Sequence, residues 1–211
     1  MKDTATATGK AAIPVTVKLP LHPNQYFQGI FPKKYIFLHH TAGGSAASSI
    51  GGWAANPARI ATPYVIDRDG TIYECYDPKF WAYSLGVKGN SAIERASIPI
   101  EIASYGNLTL KNGKYIKWTG SEIEAVKVVK CPFRNFDYYE NYTPAQIAAL
   151  SVLIPYLMKR FGISLQADPV KFWEFKNPAT LPPGIYSHST VRKDKVDVYP
   201  HPDLVNLVYS L

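Results

Sequence analysis

Cysteine is scarce in this sequence, charge is sparse, and no long apolar run is present. The two cysteines, Cys75 and Cys131, make neither a disulfide framework nor a Cys-x-x-Cys pair, which excludes thiolate metal clusters and dithiol redox chemistry. Each is expected to be a buried, inert thiol. No stretch approaches the roughly 18 consecutive apolar residues of a membrane-spanning helix, so no membrane insertion is expected. Met1 to Lys10 is small and polar rather than basic then apolar. A secretory signal is therefore not expected, and synthesis is expected in the cytoplasm.

Charged residues make up only 18% of the 211, and acids are the scarcer kind, with 16 Asp and Glu against 23 Lys and Arg and a net charge of +7. Such a surface is drawn toward polyanions. The bases are scattered and accompany no helix-turn-helix, zinc-finger or RNA-recognition signature, so nucleic acid is not the expected partner. With 46% hydrophobic residues, the chain can bury one good core. A single domain over 33–211 is expected, preceded by an N-terminal arm over 1–32 that has no sustained period.

Tyr35-Ile-Phe-Leu-His39 is short, β-branched and aromatic, and Gly43-Gly44 follows it, which is the profile of a buried strand. Ala46 to Ala55 reads as a short helix. Thr62 to Asp67 and Thr71 to Cys75 flank Asp69-Gly70 and read as a hairpin. Ser97 to Ala103 alternates as a half-buried strand should, with Pro99 suggesting an edge or a bulge. A second hairpin is expected around Asn112-Gly113, whereas Lys127 to Tyr142 reads as irregular. Thr143-Pro-x-Gln146 opens the clearest helix with a capping box, its apolar stripe runs to Phe161, and Gly162 closes it. Pro155 should kink it. A last helix is expected after His201-Pro202. Together these elements predict an α/β fold, one domain with a central mixed β-sheet flanked by helices.

Two of the five histidines stand where a metal could be held: His39 at a strand end and His188 in Ile-Tyr-Ser-His-Ser-Thr-Val. Asp197 lies nine residues after His188, and in an extended segment Lys195 and Asp197 face one side. A His, His, carboxylate set with one open position is how a catalytic zinc is bound. The spacing is not compact, and a hydrogen-bonded strand-end histidine or a solvated Lys-x-Asp would look the same.

Lys34-Tyr-Ile-Phe-Leu-His-His-Thr-Ala-Gly43, Pro63-Tyr-Val-Ile-Asp-Arg-Asp-Gly-Thr-Ile-Tyr73, Ser97-Ile-Pro-Ile-Glu-Ile-Ala103, Tyr142-Thr-Pro-Ala-Gln146 and His188 leading to Lys195-x-Asp197 resemble, in order, the N-acetylmuramoyl-L-alanine amidase family, type 2. The resemblance covers about residues 33 to 205. It implies Zn2+ bound by His39, His188 and Asp197, with His40 as the alternative to His39. It implies that Lys195 faces the scissile carbonyl, and that Glu101 or Tyr64 handles the proton. The implied substrate is bacterial peptidoglycan or its muropeptides, cut between N-acetylmuramic acid and L-alanine by a monomeric endolysin acting on the cell wall after release. A muropeptide-recycling amidase, a zinc peptidase cutting within the stem peptide and a non-catalytic peptidoglycan-binding module are the alternatives. Ser187, Pro99, Tyr83 and Val198-Tyr199-Pro200 depart from the family's usual residues, and the segment from Leu110 to Tyr139 is longer than its minimal pattern, as a groove wall would be.

Overall fold

The computed structural model describes residues 14–164 and 171–211; residues 1–13 of the expected arm lie outside the described residues. Among the described residues eleven strands form two sheets. The main sheet has six strands in the order β1 (Thr16–Lys18), β4 (Ile72–Glu74), β3 (Tyr64–Ile66), β5 (Ser97–Ile102), β2 (Tyr35–His40) and β11 (Gly184–Ser187). β3 and β4 are the antiparallel hairpin around Asp69-Gly70, and the other four pairings are parallel. The described part of the arm lies on this body: β1 extends the sheet edge beside β4, and Phe27 bridges to Trp81.

Parallel strands need helices on both faces, and here they have them. On one face α3 (Pro144–Phe161) and α5 (Pro202–Ser210) bury Leu150, Leu153, Leu157, Leu204 and Val208 against Ile36, Leu38, Ile66, Ile98, Ile100 and Ile102. The opposite face is covered by α1 (Ala46–Ala54), by α2 (Ser91–Arg95) and by the chain between Tyr76 and Leu85. β5 is consequently buried on both sides instead of half-buried, and its Pro99 lies in an interior strand rather than at an edge. The proline is tolerated because pairing with β3 begins only at Ile100, beyond it.

The capping box of α3 forms as its sequence predicts, and the amide of its Gln146 also donates to the carbonyls of Ala103 and Ile66, fastening the helix to the ends of β5 and β3. Gly162 ends the helix in the left-handed conformation (φ 65°). The helix runs unbroken through Pro155. The carbonyl left without a donor there belongs to Ser151, which is exposed to water.

Between β5 and α3 the chain builds a second, five-stranded sheet in the order β8 (Glu122–Ile123), β7 (Lys114–Ile116), β6 (Asn107–Lys111), β10 (Phe136–Glu140) and β9 (Val128–Phe133). The hairpin at Asn112-Gly113 is its β6–β7 pair. The stretch from Lys127 to Tyr142, expected to be irregular, is instead largely the β9–β10 hairpin. Its turn residue Arg134 takes the positive φ (58°) that a glycine usually announces, and Asn135 beside it is a weaker turn signal than Asn-Gly or Asp-Gly. The excursion leaves and rejoins the body at one point, where the Glu140 N–H donates to the Gly106 carbonyl.

Candidate functional site

Strand alternation decides which side chains can meet. On β2, Ile36, Leu38 and His40 face α3, while Phe37 and His39 face the other side. Glu101 pairs in register with His39 across β5, so the two side chains stand next to each other. On the other flank Ser187, the last residue of β11, pairs with Leu38. His188 follows it as the first residue of the short helix α4 (His188–Val191), which brings its ring to 4.4 Å from that of His39, centroid to centroid.

Asp197 completes the group. Ser187 Oγ donates to the Asp197 and Val198 carbonyls, and the Ser189 N–H donates to the Asp197 carbonyl, so the returning loop is fastened to the end of β11. Asp197 Oδ2 then lies 2.9 Å from His188 Nδ1 and 3.2 Å from His39 Nδ1. One ligand atom from each of the three residues falls within 4.8 Å of the others, and all three residues are buried. Lys195 is near enough for its charge to bear on His39, in a segment that pairs with no strand.

A metal fits these residues on the chemistry of the donors. His188 Nε2 lies 2.9 Å from the Leu85 carbonyl, which can only accept, so Nε2 carries a proton and Nδ1, once deprotonated, can take a metal beside the Asp197 carboxylate. A positive charge, either a proton on Nδ1 or a metal ion, belongs between that nitrogen and the carboxylate. His39 Nε2 is buried with no hydrogen-bond partner. The two distances to Asp197 Oδ2 are close to the roughly 3.3 Å edge of a tetrahedron with ligand bonds of about 2.0 Å. Burial, reinforced by His188, lowers His39 to a pKa of about 4, so it is neutral and able to ligate at neutral pH. Burial alone would raise the Asp197 carboxyl, but the charge and hydrogen bonding of His188 and His39 outweigh it and hold the group well below the usual range.

The other expected residues divide. Glu101 is at the site: burial and then the Asp197 charge raise it well above the usual carboxylate range, opposed by Lys195, and its Oε2 has no partner. His40 points away, 3.1 Å from the Tyr142 hydroxyl and against Gly106, where a Cβ would overlap its ring. Tyr64 is not at the site. It shares its face of β3 with Ile66, and α3 buries it in the main core. A catalytic role for Tyr64 is therefore withdrawn, since the strand period carries its ring to the far side of the sheet.

Two features of the site were not visible in the sequence. Glu94 of α2 accepts the N–H groups of Ser84, Leu85 and Gly86 at 2.8 to 3.1 Å and so sets the loop whose Leu85 carbonyl holds His188. The second sheet also reaches the site's surroundings. Arg134 donates to the Ser189 and Lys193 carbonyls, and the Trp118 indole N–H donates to the Ala42 carbonyl at 2.7 Å.

The Clostridium intestinale endolysin N-acetylmuramoyl-L-alanine amidase LysCS superposes with a TM-score of 0.52 at 16% identity, over 95% of this chain and 97% of that one. LysC, an N-acetylmuramoyl-L-alanine amidase of the same organism, gives 0.51 at 16%, over 94% and 97%. PlyL gives 0.51 at 13%, over 83% and 82%. At such identities the likeness is one of fold. Among curated proteins, no significant match is found. The sequence pattern of the N-acetylmuramoyl-L-alanine amidases matches residues 31–202, which takes in every strand of the main sheet but β1, and the chain accordingly belongs to that family of enzymes.

Proposed function

We propose that this amidase hydrolyses the amide between the lactyl group of N-acetylmuramic acid and L-alanine in bacterial peptidoglycan, and does so with zinc, as a wall-lysing endolysin. The convergence of His39, His188 and Asp197 at the rim of the sheet carries the reading. These three residues would hold the zinc. When bound, zinc supplies Lewis acidity, which polarises the scissile carbonyl and acidifies water to near-neutral pKa.

The protein's own groups do the rest. Lys195 places an ammonium beside the cluster and stabilises negative charge as it builds on the carbonyl oxygen. Glu101 takes the proton from the attacking water and returns it to the leaving amine; a carboxylate raised above its usual range is the stronger base for that exchange. The Leu85 carbonyl keeps the His188 ring in one orientation throughout.

The test is zinc content together with turbidity loss and new amino termini on purified peptidoglycan, for the native protein and Asp197→Ala. One zinc per native chain with L-alanine termini exposed, and loss of both in the variant, is the expected outcome. Termini other than L-alanine would move the cut into the stem peptide. Equal zinc content in the two proteins would overturn the ligand set.

A further inference from the structure

Trp118 occupies an unusual position for a large apolar ring. It is 69% exposed, whereas Trp81 is 8% exposed and Trp53 and Trp173 are half-buried. It sits in the turn between β7 and β8, a turn closed by the Lys117 N–H to the Ser121 carbonyl and the Gly120 N–H to the Lys117 carbonyl. Exposed single apolar residues are common, but this one is held in place. Its indole N–H donates to the Ala42 carbonyl, and the neighbouring Lys117 ammonium lies over the Tyr105 ring at 4.5 Å.

The anchor is fixed in turn. Ala42 adopts a left-handed backbone (φ 52°), a conformation that a residue with a β-carbon takes only when its surroundings hold it there. On either side of it the Thr41 N–H donates to the Ile102 carbonyl and the Gly43 N–H to the Ser104 carbonyl. The indole is thus referenced to the carboxyl ends of β2 and β5, the strands that carry His39 and Glu101. Ligands of open α/β sheets bind outside the carboxyl ends of the strands, and Trp118 lies over that rim.

We infer that Trp118 is a saccharide platform on which a pyranose of the glycan strand stacks as the muramyl group is presented to the site. The inference rests on the proposed peptidoglycan amidase reading. Its chemistry follows from what the indole has left to offer. The N–H is already used, so only ring faces remain, and these suit the C–H face of a pyranose better than a charged or hydrogen-bonding peptide. Because the ring is oriented before the ligand arrives, little ordering is lost on binding. The segment from Leu110 to Tyr139 is longer than the family's minimal pattern, as a groove wall would be; the inference gives the contact to one side chain of it.

The test uses a ligand without a scissile amide, so that binding is read apart from cleavage. A tetrameric N-acetylglucosamine oligosaccharide is titrated into the native protein, Trp118→Ala and Trp118→Phe, followed by tryptophan fluorescence and by calorimetry for the variants. The native protein is expected to bind it, Trp118→Ala about tenfold or more weakly, and Trp118→Phe in between, since it keeps a ring but loses the anchor. With muropeptides carrying one or two sugars, the native protein should favour the longer glycan in KM. Trp118→Ala should lose that preference while zinc content stays unchanged. Equal binding by the native protein and Trp118→Ala, or no binding by the native protein, overturns the inference. If the oligosaccharide binds through Trp118 yet peptidoglycan is not cut, the amidase reading fails and the platform stands.

Discussion

Glu94 touches no proposed ligand, yet its carboxylate decides where the Leu85 carbonyl lies, and that carbonyl orients His188. Glu94→Gln keeps the shape but sets an amide N–H against backbone N–H groups that need an acceptor. Metal affinity should fall about 10 to 100 fold, measured by competition with a chromophoric chelator, while the metal-free protein melts close to the native value. An unchanged affinity would mean that the loop is held without Glu94. For Lys195→Ala the loss should appear in kcat, by about 100 to 1,000 fold, with zinc still bound; a change confined to KM would place the lysine in substrate binding only. At this scale the sequence was readable where a type and a position sufficed: His39, His188, Asp197 and Glu101 do come together. Tyr64 was misplaced because type alone does not say which face of β3 a ring takes. Glu94 was invisible because its partners lie eight to ten residues away and all but the Ser84 hydroxyl are backbone atoms.

Elements were legible in proportion to their local signals. The Asp69-Gly70 hairpin and α3 carry their own turn and capping chemistry. The β9–β10 hairpin carries little, with Pro132 inside a strand, a non-glycine residue at its left-handed turn and only Asn135 to mark it. What joins the two sheets is also not local. Arg68, beside the turn of the first hairpin, makes a bidentate pair with Glu140 of β10, and Glu140 also accepts the Tyr105 N–H. Glu140→Ala would leave the half-buried guanidinium with only the Gly43 and Gly44 carbonyls and the Tyr105 N–H without its acceptor, a loss of about 1 to 3 kcal/mol, readable as a drop in the denaturant midpoint at constant slope. By contrast Thr143→Ala removes one cap acceptor of α3 and should cost about 1 kcal/mol.

For the whole molecule, two global quantities can be read in solution. If zinc binds the folded chain alone, saturation at a thousandfold its dissociation constant adds about 4 kcal/mol, or roughly 10 °C in melting temperature for a chain of this size. A strong chelator should remove that increment and added zinc restore it; a melting temperature indifferent to both would count against a resident metal. The net charge of +7 makes a second forecast. Attraction to an anionic wall is screened by salt, so lysis of intact walls should weaken as ionic strength rises while hydrolysis of a small soluble muropeptide changes little. Parallel decline of both would assign the salt effect to the site itself. The number of sheets and the way they join could not be read from the sequence, because both depend on pairings between residues far apart in the chain.

The excursion between β5 and α3 departs and returns side by side, where the Glu140 N–H donates to the Gly106 carbonyl and the Tyr105 N–H to the Glu140 carboxylate. Its inner strands are committed to the core through Phe136 and Tyr139, but the outer β7–β8 hairpin is not. Chain can therefore be lengthened, shortened or exchanged in that outer hairpin at little cost in closure entropy and without shifting His39, His188 or Asp197. The architecture separates what must stay constant from what is free to diverge. Related enzymes can acquire new cell-wall preferences by redrafting one hairpin, and an engineer can transplant that hairpin between them as a cassette.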